Sequence, residues 1–403
     1  MIVRKSNLGL AHKAARGSKV TSERKMLVVL GLSTTAIFSN MYATQPILPV
    51  IGQEFGLQPS EAGITVSALV LAIAVSALFY GILSDRVGRR PVIIGSAFAL
   101  VVPTLLCGLA PTFLTLVICR VGQGLILPGF IATTITYIHE EFAANRGLAV
   151  GWYTAATVTG GFTGRLQGGV MTDLFSWRFA FFSFALANLL SGLALARYLP
   201  PSRPKLATNK PEGFDFAGLT ACFSNRRLIG CYLVGMAIFF PFIGLFTYLP
   251  YYLSRPPFNL STLLVSFVFV VYLIGVFAAP LSGRFSDKLG RSGVIAAGLL
   301  LMAIGVGLTL VPWLPVVFVG LLILCFGMFT AQSNNNAFIG DSVGKGQSRG
   351  SAVSLYQMFF YTSGSLGGVI PGLLWQNVGW SGVVIACLCS LVVGLVAART
   401  LWR

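Results

Sequence analysis

The chain has 403 residues, of which 55% are hydrophobic and only 10% are charged, and its formal net charge is +17. Soluble domains carry about 25% charged residues, so this composition excludes a water-soluble globular protein. Apolar stretches of about 20 residues are long enough to cross a hydrocarbon core of about 30 Å as helices. We therefore predict an all-α membrane protein.

Twelve apolar stretches, separated by charged or turn-forming segments, predict membrane-spanning helices. They cover residues 26–50, 61–83, 92–110, 114–136, 148–170, 178–199, 228–253, 261–283, 294–312, 314–336, 351–373 and 380–399. The segment "PPSRPKLATNKPEGFDFAGLTACFSN", rich in proline and charge, separates six stretches from the other six. The predicted organisation is a basic tail at 1–25, a six-helix bundle at 26–199, a linker at 200–227 and a second six-helix bundle at 228–403.

Positive charges follow an alternating pattern along the predicted loops. If residue 1 lies in the cytoplasm, most of the 28 lysines and arginines fall on the cytoplasmic side. Only Arg178 and Arg255 fall in loops on the opposite side, while Arg120 and Arg165 fall within predicted helices. By the positive-inside rule, this distribution predicts that both termini are cytoplasmic. Membrane topology explains the basicity, so no nucleic-acid partner is expected.

Two patterns occur twice, about half a chain apart. "GILSDRVGRRPV" at 81–92 returns as "GRFSDKLGRSGV" at 283–294, which places Asp85 and Asp287 at equivalent positions. Glycines spaced by four occur at 160, 164 and 168, and again at 364, 368 and 372. Such spacing forms a smooth groove that lets another helix approach closely. Because an even number of helices separates the copies, the halves are predicted to be parallel repeats.

Along its whole length, the chain resembles a major facilitator superfamily transporter. The first repeated stretch matches that family's loop between the second and third helices, and "RVGQG" at 120–124 matches its fourth-helix motif. The fifth-helix antiporter motif departs from the family, with Gly161 in place of proline and Arg165 in place of glycine. "MYATQPILP" and "GRLQGGVMTDLFSWR" are most similar to bacterial sugar and drug efflux permeases.

The resemblance implies a conformational latch at the repeated loops. In the family this loop abuts the eleventh helix of the other half, so we expect Asp85, with Arg89 and Arg90, to stabilise the outward-open state. Helix N-termini attract carboxylates, which suits Asp85 near the start of the third helix at Pro91. The alternative is that the arginines only anchor the topology. The predicted latch residues are Gly81, Asp85, Arg86, Gly88, Arg89, Arg90, Asp287 and Arg291.

Ionisable and polar residues inside the predicted helices are candidates for substrate binding, because charge within a membrane is costly. Arg120 and Arg165 are the prominent cases, and the alternative for each is a packing role, bonded to helix carbonyls or to Asp173. Apolar walls with a few polar groups are typical of a small-molecule pocket. The candidates are Arg120, Gln123, Arg165, Asp173, Asn40, Gln45, Tyr248, Gln332, Gln357 and Tyr361.

No predicted helix carries a carboxylate at its middle, where proton-coupled transporters often place one. Asp173 is the remaining candidate for coupling, with Glu54 or Glu61. Proton coupling is therefore implied by the resemblance and only weakly by the residues.

The leading hypothesis is a monomeric secondary transporter of the bacterial inner membrane that exports drugs, sugars or related metabolites in exchange for protons. The alternative is an importer of organic anions or metabolites that uses Arg120 and Arg165. An enzyme, a receptor or an ATP-driven pump is not expected, because the sequence has two histidines and no phosphate-binding loop. No cofactor and no metal are expected.

Overall fold

The computed structural model describes residues 23–142, 145–200, 216–344 and 347–402, so most of the predicted tail and linker lie outside the described residues. The described residues form twelve long helical stretches and no strand. They are α1 Glu23–Phe55, α2 Pro59–Val87, α3 Arg89–Gly108, α4 Phe113–Glu141, α5 Arg146–Leu174, α6 Trp177–Tyr198, α7 Arg226–Leu253, α8 Thr262–Leu289, α9 Arg291–Leu308, α10 Leu314–Ser342, α11 Arg349–Val378 and α12 Trp380–Leu401.

Ten of these described stretches are long and apolar enough to cross a membrane, judged by length and composition. The other two, α5 and α11, have 29 and 30 residues and are therefore long enough. Their repeated glycines and their hydroxyl and amide side chains make them less apolar. The twelve helices agree with the sequence prediction, and a short helix at Phe216–Phe223 precedes α7.

Irregular turns interrupt several of these helices, among them α1, α2 and α8. A 3-10 turn at Gln45–Ile47 interrupts α1, and α2 opens with the separate turn Pro59–Ala62. Within α8, the 3-10 segment Phe269–Ile274 lies between two α-helical parts. A stretch of 3-10 helix inside a longer helix often marks a hinge or local strain.

Glycines allow close approaches between helices, as the four-residue spacing predicts. The backbone of α5 lies against that of α1, and an added Cβ at Gly164 would lie 2.7 Å from Ser39 Cα. The Ser39 hydroxyl also donates to the Gly160 carbonyl oxygen at 3.2 Å. In α11 the matching Gly368 faces the side chain of Ser67 on α2, so this glycine serves the contact between the two halves.

The halves α1–α6 and α7–α12 are joined at one end of the molecule. We call the end where α1 begins and α12 ends the basic end, and the opposite end the distal end. Four hydrogen bonds between the halves lie toward the distal end, and we call these residues the distal seam. They join Gln45 Nε2 to Thr247 Oγ1 (3.3 Å), Tyr251 Oη to Leu48 O (2.9 Å), Ser67 Oγ to Ser365 O (2.7 Å) and Gln376 Nε2 to Ser60 Oγ (2.8 Å).

Candidate functional site

A cavity of about 380 Å³ lies between the two halves, and its wall comes from α1, α4, α5, α7, α8, α10 and α11. Aromatic rings form much of the wall, and α10 adds the polar side chains Gln332, Ser333 and Asn336. Among the residues that the structure describes, no charged side chain lines it. A mostly apolar wall with a few amide and hydroxyl groups fits a small organic molecule.

The cavity opens toward the basic end. Its wall residues Ile131, Tyr153 and Asn336 lie in the basic-end halves of α4, α5 and α10. Thr154 on the wall is exposed, whereas Tyr42 and Tyr272 at the other end are buried. Beyond those two tyrosines the distal seam holds the halves together. The structure therefore corresponds to a state with access from one side only.

Arg165 is fully buried at the closed end, inside a ring of aromatic side chains that we call the aromatic cage. Its guanidinium carbon lies over five ring centroids: Tyr42 (4.1 Å), Phe242 (5.8 Å), Phe246 (5.4 Å), Phe269 (5.0 Å) and Tyr272 (5.0 Å). Tyr42 belongs to the first half and the other four rings to the second. Cations are attracted to aromatic faces within about 6 Å, so Arg165 links the halves.

The hydrogen bonds of Arg165 leave part of its guanidinium unused. Nε donates to Gln45 Oε1 at 2.8 Å, and Nη1 donates to the Gly161 carbonyl oxygen at 2.9 Å. Nη2 is buried and has no hydrogen-bond partner among the described residues. Through Gln45, whose amide donates to Thr247, the guanidinium is also connected to the second half.

Arg120 is also fully buried, but its donors are used within the first half. They go to the Thr65 carbonyl oxygen (3.1 Å), to the carbonyl oxygens of Asn40 (2.8 Å) and Met41 (3.2 Å), and to Gln123 Oε1 (2.7 Å). Three helices, α1, α2 and α4, are thereby held by one side chain. This is the arrangement that the packing alternative describes.

A network of amide and hydroxyl groups extends from Arg120 to two further helices. Gln123 Nε2 donates to Thr104 Oγ1 at 2.8 Å, and Asn40 Nδ2 donates to Asn188 Oδ1 at 3.0 Å. Thr104 Oγ1 donates to Asn40 Oδ1 at 3.2 Å. We call Asn40, Thr104, Arg120, Gln123 and Asn188 the first-half polar core. None of its members lines the cavity.

At the basic end, Arg89 bridges two carboxylates of the first half. Its Nη2 lies 2.7 Å from Asp85 Oδ1 and 3.2 Å from Glu140 Oε1, and Nη1 donates to the Ser84 hydroxyl. Arg90 donates to the Leu199 carbonyl oxygen at 2.6 Å. These contacts join α2, α3, α4 and the end of α6.

The second copy of the latch stretch forms a simpler arrangement. Arg291 pairs with Asp341 of α10, whereas Asp287 is exposed and pairs with none of the described residues. In the first copy, Arg86 is exposed and nothing lies within 4 Å of an added Cβ at Gly81. Gly88 has φ +98°, a conformation that favours glycine.

Comparison with known proteins places this geometry in a family. The family model described as Major Facilitator Superfamily matches residues 30–346 and 256–403. The chain belongs to this superfamily. Members of the superfamily are transporters, so the prediction of a membrane-embedded transporter rather than an enzyme is confirmed.

Alignments with individual relatives extend over nearly the whole of this chain. The inner membrane transport protein YnfM of Escherichia coli strain K12 is 32% identical over 381 residues, covering 94% of this chain and 91% of that protein. An uncharacterized transporter of Buchnera aphidicola subsp. Schizaphis graminum is 29% identical over 384 residues, covering 94% and 91%. Among solved structures, a bacterial homologue of the human lysosomal transporter Spinster, inward-facing and unoccupied, has a TM-score of 0.79 at 17% identity, covering 94% and 98%. This likeness confirms the fold of twelve helices in two bundles.

The predicted substrate-site residues of this superfamily member separate into groups. Gln332 and Tyr361 line the cavity, and Gln45 joins Arg165 at its closed end. Tyr248 is buried against α11, where its hydroxyl donates to the Gly368 carbonyl oxygen at 2.6 Å. Gln357 and Asp173 lie outside the wall of this cavity and pair with none of the described residues, and Asp173 is exposed.

Several residues at the site of this transporter were not predicted from the sequence. Tyr42 and Tyr272 belong to both the cavity wall and the aromatic cage. Tyr272 was detectable as the one polar group in the apolar run "FVFVVYLIG". Asn188 and Thr104 complete the first-half polar core but resemble the many other scattered polar residues of membrane helices.

Proposed function

We propose that the protein is a secondary active transporter that exports small molecules across the bacterial inner membrane in exchange for protons. The observation that carries this proposal is the cavity between the halves, open toward the basic end while the distal seam closes the other end. A transporter that works by alternating access needs a second state in which the seam opens and the basic end closes.

The moving bodies in this proposal are the two six-helix halves, bounded at 26–199 and 228–403. The positive-inside rule supports a cytoplasmic basic end and cytoplasmic termini. The cavity in this state then faces the cytoplasm, which is where an exporter collects its substrate. The resemblance of the first and fifth helices to sugar and drug efflux permeases supports export.

Proton exchange needs a group whose protonation changes between the two states. Asp173, at an exposed position away from the cavity, does not support this role. The trio of Asp85, Arg89 and Glu140 is better suited, because a proton on either carboxylate weakens its bond to Arg89. We propose that this trio couples proton release to closure of the basic end.

The alternative of an organic-anion importer retains one supporting observation. Arg120 gives it no support, since its donors are used by backbone and Gln123. Arg165 supports an anion because Nη2 has no partner among the described residues.

Alternating access can be tested without a known substrate. A cysteine at Thr157 on the cavity wall is labelled in oriented vesicles with a membrane-impermeant maleimide applied from either side. The cysteine pair Ser60→Cys and Gln376→Cys is then cross-linked across the distal seam. We expect labelling from both sides before cross-linking and loss of the distal-side labelling alone afterwards.

Two controls and one opposing result complete the experiment. Each seam cysteine alone should leave both labelling rates unchanged, and Cys389, which is exposed, is replaced by serine throughout. Labelling from the basic side only, before any cross-link, would show a cavity that does not alternate. Proton exchange is tested separately, in inverted membrane vesicles with an acidic interior. A compound that the protein exports in exchange for protons should collapse the pH gradient across the vesicle membrane.

A further inference from the structure

Arg165 is a buried cation whose charge is balanced by no anion among the residues that the structure describes. No carboxylate contacts it among the described residues, whose ion pairs involve Arg89, Arg178 and Arg291. Its partners are neutral: the Gln45 amide, the Gly161 carbonyl and aromatic faces. Burial of an uncompensated charge is unfavourable, so the site favours the arrival of an anion.

The free part of the guanidinium is a donor. Nη2 is the only buried side-chain nitrogen without a hydrogen-bond partner among the described residues. A guanidinium has five N–H donors, of which Nη2 carries two. Donors held in place by the other two nitrogens are pre-oriented for an oxygen ligand.

The position of Arg165 relates this donor to the cavity. The rings of Tyr42 and Tyr272 lie 4.1 Å and 5.0 Å from its guanidinium carbon, and both rings also line the cavity. Tyr42 and Tyr272 therefore lie against the guanidinium and also form part of the cavity wall. When either ring turns aside, an oxygen atom of a molecule in the cavity can reach Nη2.

We propose that Arg165 binds the carboxylate of an aromatic or otherwise amphipathic substrate at the closed end of the cavity. This inference rests on the proposed function and names its substrate class. One cation at the end of an otherwise uncharged wall matches a single negative charge, rather than the two of a phosphate monoester. The amides of Gln332 and Asn336 on α10 are available to the polar groups at the other end of the molecule.

The charge preference is measurable with shape-matched probes. Binding of 2-naphthoate and 2-naphthamide to the full-length protein in lipid nanodiscs is compared by titration calorimetry. We expect the acid to bind at least ten-fold more tightly than the amide. Arg165→Gln should bring this ratio close to one, whereas Arg178→Gln, which removes a cation at the distal surface, should leave it unchanged.

A second measurement uses the wild-type protein, in case Arg165→Gln does not fold. With ¹⁵N-labelled arginine, the Nε resonance of Arg165, assigned from the spectrum of Arg165→Lys, should shift with 2-naphthoate and not with 2-naphthamide. An acid that binds no better than its amide, or a preference that survives in Arg165→Gln, would overturn the proposal. Either result leaves the labelling test of alternating access intact, because that test involves no ligand.

Discussion

Gln45 and Thr247 form a hydrogen bond with each other although they occupy equivalent positions of the two repeats. They are 202 residues apart, the same separation as that between Asp85 and Asp287, and Gln45 Nε2 lies 3.3 Å from Thr247 Oγ1. Two equivalent residues can meet only near the axis that relates the halves. The bond therefore lies where the halves turn against each other.

Replacement of Gln45 by leucine should loosen the distal seam. The change removes the acceptor of Arg165 Nε and the donor to Thr247, so the closed distal end loses two polar contacts. We expect a cysteine on the cavity wall to be labelled several-fold faster from the distal side. Gln357→Leu is the control, since Gln357 pairs with none of the described residues, and an equal effect of both variants would contradict the role of Gln45.

Gly164→Ala should destabilise the protein. The new Cβ would lie 2.7 Å from Ser39 Cα, and neither backbone can move without shifting a whole helix. Overpacking of this kind costs about 1–3 kcal/mol. The measurement is thermal unfolding in detergent, with Gly151→Ala on the same helix as control, because nothing lies within 4 Å of its added Cβ. If Gly151→Ala lowered the melting temperature as much as Gly164→Ala, overpacking against Ser39 would not be the cause.

Arg120→Met should reduce stability rather than change substrate preference. The variant leaves the Thr65 and Asn40 carbonyl oxygens and Gln123 without their donor inside the first half. Each hydrogen bond to a charged group contributes about 1.5–3 kcal/mol, so we expect a loss of at least about 3 kcal/mol. Thermal unfolding measures it, with the exposed Arg86→Met as control. Unchanged stability together with altered binding would instead indicate a substrate role.

Tyr361→Leu and Gln332→Ala should weaken binding without reducing stability. Both side chains line the cavity, and neither is fully buried. Loss of one aromatic or amide contact should raise the dissociation constant of a bound ligand by about three- to ten-fold, since about 1.4 kcal/mol is a factor of ten. Gln357→Ala on α11, outside the cavity, should leave the constant unchanged, and calorimetry with 2-naphthoate provides the comparison.

Asp85→Asn should favour the state that is open at the basic end. In this structure Asp85 pairs with Arg89 of its own half, so the proposed latch across the halves belongs to the other state. Faster labelling of Ser333→Cys from the basic side would report the shift. Asp287→Asn serves as control, because Asp287 is exposed and unpaired among the described residues. A similar shift in both variants would indicate a general effect of surface charge.

The fold was predictable because its signals are long and repeated. Apolar stretches of membrane length and two copies of one loop motif define twelve helices and their symmetry without knowledge of any contact. The glycine spacing likewise predicted that another helix approaches α5 closely, and the structure shows that this helix is α1. It did not reveal that Gly368, its counterpart in α11, faces the other half.

The site was less predictable, because the roles of its residues depend on which side chains meet. Arg120 and Arg165 look alike in sequence, each a lone cation in an apolar helix. The structure separates them by their neighbours: backbone carbonyls satisfy Arg120, whereas Arg165 meets aromatic rings and keeps a nitrogen without a partner among the described residues. Four of those rings come from the second half, roughly 80 to 110 positions further along the chain.

The six 3-10 residues Phe269–Ile274 of α8 include two rings that surround Arg165. A 3-10 helix rises about 2.0 Å per residue and an α-helix about 1.5 Å, so conversion of this segment would shorten α8 by about 3 Å. The change from three to 3.6 residues per turn would also rotate the far part of the helix by about 120°. Conversion of this segment from 3-10 to α-helix would thus move two rings away from the Arg165 guanidinium. The same conversion would translate the far part of α8 along its axis and rotate it about that axis.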